Sequence, residues 1–218
     1  MTQDPQIMKI GLFGGTFDPI HFGHLILADN VREYFGLNRI IFIPSKSPPH
    51  KKTCFLTEAR LRLQMLKSAI RGQSFFSVSE IELEREGISY SFDTVCSFRQ
   101  RYRRKDLFFL MGSDSLLDIH LWYRIEELVR ECQFILIERP GFDLKEISHR
   151  KLKISEKAFK VLTAHAFKCN PVDISSREIR KRVAEGRSIR YLLPEKAAQM
   201  IYKKKLYLSG GSSLNQKL

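Results

Sequence analysis

The sequence predicts an α/β fold built on a doubly wound parallel sheet, and three observations carry this. The stretches IIFI, LFFLM and FILI are continuous apolar runs rather than alternating ones, as strands covered on both faces require. Segments of helical character separate these runs, so each connection has room to cross over between parallel strands. The first strand ends in two glycines just before a helix, the usual place for a ligand crevice in such a sheet.

In chain order, KIGLFGG is the first strand. A helix is expected from about Gly23 to Phe35, with Leu25, Ala28, Val31 and Phe35 on one face, before the strand RIIFIP. The proline-rich loop PSKSPPHKK follows, and Thr57 and Glu58 then open a helix carrying Leu61, Leu63, Leu66 and Ile70. FFSVSEIEL is expected to be extended, Ser91 to Arg103 helical, and LFFLMG and QFILIER strands. After Leu208 the segment SGGSSLNQKL has the composition of a flexible end. The expectation is a single domain over residues 1–208 with a tail at 209–218.

A chain of 218 residues suits one domain. It should bury roughly 70% of its unfolded surface, so it needs no cross-links to hold a core. Cys54, Cys96, Cys132 and Cys169 are widely spaced, with no CxxC pair, and are expected to be neutral thiols in a reducing cytosol. The start lacks an apolar signal core, and no apolar run approaches the ~20 residues of a membrane span, so a cytoplasmic protein is expected. A net charge of +13 favours anionic partners without choosing among them. The densest basic run, Arg99 to Lys105, is expected to be a solvated helix end whose charges suit the helix dipole.

The residues that carry chemistry begin at Gly14-Gly15-Thr16-Phe17-Asp18-Pro19-Ile20-His21-Phe22-Gly23-His24. Two glycines let the chain turn sharply and bring backbone N–H groups close to a ligand. The helix start that follows favours phosphate. His21 and His24, three residues apart, can face one anion and stabilise charge moving onto leaving pyrophosphate. A zinc pair would need further ligands that the neighbourhood lacks, so no protein-held metal is expected. The second segment is Ile174-Ser175-Ser176-Arg177-Glu178-Ile179-Arg180. Ser175 and Glu178 have capping-box spacing, so a helix should start there. Its N–H groups and serine hydroxyls could bind phosphate, and Arg180 could add a two-pronged contact.

The strand–GG–HxGH arrangement resembles the signature of the HxGH nucleotidyltransferase superfamily, and ISSREIR resembles that family's ISSTxIR motif, with Arg177 in place of threonine. From Lys9 to about Tyr207, the blocks GGTFDPIHFGHL, PSKSPPHKK, EREGISYSFDT, GSDSLLDIHLW, FILIERPG, ISSREIR and YLLPEKAAQMIYKKKLY follow the order of the bacterial nicotinate-nucleotide adenylyltransferase family. In EREGISYSFDT, Ile88 and Ser91 stand where proline and threonine are commoner. The resemblance implies a Rossmann-like sheet of nucleotidyltransferase type and transfer of AMP from ATP to nicotinate mononucleotide. It implies that Gly14, Gly15, Thr16, Phe17, His24, Gly112, Asp114, Ile174, Ser175, Ser176 and Arg180 surround ATP, with His21, His24 and Arg180 catalytic. Tyr90, Thr94 and Trp122 would lie by the mononucleotide, under a loop bearing Lys46, His50 and Lys51. Asp114 could bind a ribose hydroxyl or a magnesium water, or cap its own helix. Magnesium would arrive with ATP.

Nicotinamide mononucleotide or phosphopantetheine are the alternative acceptors, although phosphopantetheine enzymes are usually shorter and lack SYSFDT and GSDSLLDIHLW. A non-catalytic nucleic-acid-binding protein would need aromatics interleaved with its basic run, where Tyr102 is the only one. The expected partners are therefore ATP and the mononucleotide, without nucleic acid or membrane, and a homo-oligomer stays open.

Overall fold

A computed structural model describes residues 8–48, 56–102, 106–138, 143–168 and 172–208. His50, Lys51, Cys54, Cys169, residues 103–105 of the basic run and the 209–218 tail lie outside the described residues.

The predicted strands are present as β1 (Lys9–Gly15), β2 (Arg39–Pro44), β4 (Asp106–Gly112) and β5 (Gln133–Glu138), joined by β3 (Phe76–Val78) and β6 (His165–Lys168). All pairings are parallel, in the order β3-β2-β1-β4-β5-β6. The continuous apolar runs have the reason assigned to them. Ile40 and Phe42 pack in one core cluster and Ile41 and Ile43 in another, and β4 divides Phe108 and Leu110 from Leu107, Phe109 and Met111 in the same way.

One face is covered by α1 (Phe22–Phe35), α2 (Ala59–Ala69), α8 (Ser176–Ala184) and α9 (Glu195–Lys203), which contribute Val31, Leu66, Ile179 and Ile201. The other is covered by α4 (Ser91–Arg101), α5 (Ile125–Glu131) and α7 (Glu156–Thr163), through Val95, Leu128 and Leu162. The sheet leaves β1 in both directions, toward β2 and toward β4. The carboxyl ends of these two neighbours and of β1 therefore frame a topological switch point.

Two expectations need correction. FFSVSEIEL is not extended throughout: after β3, residues Ile81–Glu84 form the short helix α3, and α6 (His149–Leu152) is likewise a single turn. Ile81 and Glu82 turn inward here, the apolar side chain against the core and the acidic one into the site below, and packing overrides the local alternation. The helix expected to run to Arg103 ends at Arg101.

Within the basic run, Arg99 donates Nε and Nη2 to the carbonyl of Glu131, at 2.9 and 2.5 Å, and so caps the last residue of α5. Cys96 and Cys132 are free, and burial pushes the Cys132 thiol up to about 12 and raises that of Cys96 as well. Among the described residues, no helix is long and apolar enough to cross a membrane.

Candidate active site

At the switch point lies a cavity of about 460 Å³, lined by the carboxyl ends of β1, β2 and β4 and by the segment that follows β4. Its lining includes Gly14, Gly15, Thr16, Phe17 and His24, together with Gly112, Asp114, Tyr90 and Trp122.

The glycine end is shaped by close approach. A Cβ on Gly15 would sit 3.0 Å from the ring of Phe17, and one on Gly23 would sit 3.0 Å from Nδ1 of His21 and 3.2 Å from the Ile174 carbonyl. Gly23 thus lets the start of α1 lie against the segment that precedes α8. Phe17 is held at φ 47°, a left-handed conformation that non-glycine residues rarely adopt. Ser175 caps α8 as its spacing predicts, accepting the N–H of Glu178 at 3.2 Å.

The two histidines are together but not equivalent. Their rings stack at 3.7 Å between centroids, with an interplanar angle of 30°. His24 lines the cavity, whereas His21 is not among its lining residues and is only 5% exposed. The reason is local: His21 is the N-cap residue of α1, at φ −148° and ψ 169°, so its side chain leaves the face that helical three-residue spacing would give it. The backbone N–H of His21 donates to Nδ1 of His24 at 3.3 Å. A neutral His24 accepting at Nδ1 carries its proton on Nε2, which makes that nitrogen a donor. The first N–H of α1, on Phe22, donates to the Leu192 carbonyl at 3.0 Å, so it is committed to the fold.

Of the remaining residues expected around ATP, two hold the loop after β1. Arg180 donates Nη1 to the Asp18 carbonyl at 2.7 Å, and Ser176 Oγ donates to the Pro19 carbonyl at 2.9 Å. Neither residue is in the cavity lining, and nor are Ile174 and Ser175.

Of the aromatic residues in the lining, Trp122 is half-buried and meets Phe109 edge-on at 6.0 Å, while Tyr90 stacks on Tyr123 at 4.5 Å. Thr94 lies behind the lining. It donates Oγ1 to Glu82 at 2.7 Å and accepts from Arg85 at 3.1 Å. Lys46 donates Nζ to the Arg85 carbonyl at 3.2 Å and is not in the lining either.

Sequence reasoning passed over Glu82, a buried carboxyl that lines the cavity. Burial raises its pKa, against hydrogen bonds from Thr94 and Ser89 and the charge of Arg85, which lower it. A carboxyl raised by folding binds more proton in the native than in the unfolded chain. Native stability therefore falls as pH rises from near the ordinary 4.5 to the folded value, then levels off. Glu82→Gln keeps an acceptor for Thr94 and removes that slope. Thermal melts across this window should show the wild type losing Tm relative to the variant as pH rises; the opposite drift would contradict the assignment.

Comparison with known proteins follows the same lines. A family model described as cytidylyltransferase-like matches residues 12–182. A probable nicotinate-nucleotide adenylyltransferase of Exiguobacterium sibiricum is 44% identical over 200 residues, covering 92% of this chain and 99% of that one. One of Moorella thermoacetica is 40% identical, covering 91% of each. Among solved structures, the Plasmodium falciparum nicotinic acid mononucleotide adenylyltransferase complexed with NaAD superposes with a TM-score of 0.70 at 25% identity. It covers 92% of this chain and 97% of its own. The same enzyme complexed with APC gives a TM-score of 0.69 at the same identity and coverage.

Proposed function

Because the chain belongs to the nicotinate-nucleotide adenylyltransferase family, within the cytidylyltransferase-like proteins, we propose that it transfers the adenylyl group of ATP to nicotinate mononucleotide. The products are nicotinate adenine dinucleotide and pyrophosphate. The observation that carries this reading is one cavity lined both by the Gly14–Phe17 turn and His24 and by Tyr90 and Trp122. Such a cavity can hold a triphosphate and a flat ring at once.

In the reaction, an anionic oxygen of the mononucleotide phosphate attacks the α-phosphorus of ATP in line. The new O–P bond forms as the bond to the β-phosphate bridging oxygen breaks, and the electron pair leaves with pyrophosphate. The nucleophile is already ionised, so the protein needs neither a base nor a covalent intermediate, and its contribution is positioning and charge stabilisation.

His24 is the donor placed for the growing charge. His21, buried beneath it with its ring centroid 3.7 Å away, orients the ring. Arg180 keeps one nitrogen on the Asp18 carbonyl and offers the rest of its fork to the β- and γ-phosphates. The carboxylates in the lining are Asp114 and Glu82, and burial raises the pKa of Glu82 toward the neutral form. This donor set would suit a magnesium ion that arrives with ATP and is held mainly by phosphate oxygens, with Asp114 as the nearest candidate carboxylate, where the ion would offset phosphate charge. Lys46, His50 and Lys51 are assigned to the acceptor phosphate, and Ile174, Ser175 and Ser176 to the wall behind the triphosphate.

Incubation of the purified protein with ATP, magnesium and nicotinate mononucleotide should release pyrophosphate and dinucleotide in equal amounts. The absence of dinucleotide with this acceptor, alongside its formation from nicotinamide mononucleotide, would move the assignment to the amide. Trp122 is assigned to the pyridine ring, whose electron-poor face suits an indole. Trp122→Ala should raise KM for the mononucleotide roughly 5- to 100-fold, the range of one base–aromatic stack. KM for ATP should stay the same, and steady-state kinetics with each substrate varied in turn reads the difference.

A further inference from the structure

Three residues of the loop after β1, Thr16, Asp18 and Pro19, are held by hydrogen bonds from four separate parts of the chain. Arg62 of α2 donates to the Thr16 carbonyl at 2.6 Å, and the N–H of Thr57 donates to Oδ2 of Asp18 at 3.1 Å. Arg180 and Ser176 of α8 hold the carbonyls of Asp18 and Pro19. The remaining bond comes from the far end of the fold: the Tyr207 hydroxyl donates to Oδ1 of Asp18 at 2.5 Å, across 189 positions of sequence.

Asp18 is 1% exposed, so its carboxylate depends on these partners and not on water. Backbone strain marks both ends of the Tyr207–Asp18 bond. Phe17 sits at φ 47°, and Lys205 and Tyr207 at φ 51° and 62°. Non-glycine residues persist in that region where the surroundings over-determine them, and such positions gather at working sites. Burial, followed by the Asp18 charge, drives the Tyr207 pKa far above the usual phenol range, so the hydroxyl remains a donor at every working pH.

We propose that Tyr207 is a positioning residue for adenylyl transfer, acting through Asp18 to hold the Gly15–Phe17 turn in the shape that receives the triphosphate of ATP. The proposal rests on the adenylyl-transfer reading of the cavity. Without the hydroxyl, the buried Asp18 carboxylate has a vacant acceptor. The donors best able to fill it are Arg62 and Arg180, whose guanidinium groups already anchor the same loop through Thr16 and Asp18. Either movement withdraws an anchor from the turn that the proposed function assigns to ATP.

The test is Tyr207→Phe in the full chain, assayed with ATP and nicotinate mononucleotide. Loss of one hydrogen bond to a charged group predicts about a 10-fold fall in kcat/KM for ATP. KM for the mononucleotide should not change, and the thermal stabilisation given by ATP alone should shrink in parallel. Thr57→Val removes the hydroxyl that hydrogen-bonds Tyr207 but keeps the backbone N–H on Asp18. It should give a smaller loss in the same direction, and it serves as the readout if the phenylalanine variant does not fold. A lowered Tm with unchanged ATP kinetics, or an equal loss toward both substrates, would overturn the positioning role. No turnover by the unsubstituted protein would overturn the functional reading and this inference with it. Normal turnover with unaltered kinetics in both variants would overturn this inference alone.

Discussion

Replacing His24 by alanine is expected to lower kcat at least ~10²-fold, the cost of deleting one donor aimed at developing transition-state charge. The ring lies in the first turn of α1, whose dipole places positive potential at the same spot. It is flanked by apolar edges, with the Phe17 ring centroid 5.1 Å away and that of Phe13 6.2 Å away. Low polarisability around a donor strengthens its interaction with an anion, and that gain grows as charge moves toward pyrophosphate. The loss should therefore appear mainly in kcat. The loss of stability should be small beside the loss of rate, because one side of the ring faces a cavity. Single-turnover rates with saturating ATP, together with a melting curve, separate these effects. A near-normal rate would remove His24 from the chemistry.

The largest effect on stability should come from Arg62→Leu. Arg62 is 1% exposed, and it donates to three backbone carbonyls: Thr57 at 2.8 Å, Thr16 at 2.6 Å and Ser45 at 2.7 Å. Burial lowers its pKa, while the charge of Asp18 acts in the opposite direction. Leucine would match the apolar stem but strand three carbonyls and take the neighbouring positive charge from the buried Asp18 carboxylate. Breaking such a buried arrangement by removing one partner costs roughly 3–5 kcal/mol. For a chain of this length, that is a fall in Tm of roughly 6–20 °C. Arg62→Lys should recover only part of it, because a compact ammonium cannot span three carbonyls as a planar fork does. Calorimetry of the three proteins checks the order; a leucine variant as stable as the wild type would mean that the guanidinium holds nothing.

The contrast between these two residues shows which features were legible in the sequence. His24 announced itself, because the strand, two glycines and HxGH are local and contiguous. Ser175 did so too, since a capping pair is read over four residues. Arg62 did not. It stands in ARLRLQMLKSA beside Arg60, one arginine is exposed and the other almost wholly buried, and nothing in their neighbours separates them. Two of its three partners, the Thr16 and Ser45 carbonyls, come from loops that only the fold brings together.

Glu82 was hidden for a related reason. Its alternating surroundings read as a strand, and only packing turns them into a helical turn that aims the carboxyl inward. The bond between Asp18 and Tyr207 joins the two ends of the fold, beyond any local pattern. The histidine pair was half legible: the spacing brought the rings together, but the extended N-cap conformation stacked one behind the other. β6 is four residues long with a single buried side chain, Phe167, too little for any periodicity to register.

The most direct test of the central claim is an experimental structure of the protein with its product dinucleotide bound. The account predicts the adenylyl half against Gly14, Gly15, Thr16 and His24, with the pyridine ring stacked on Trp122. A dinucleotide bound outside this cavity, or bound within it with its pyridine at the glycine turn, would contradict it.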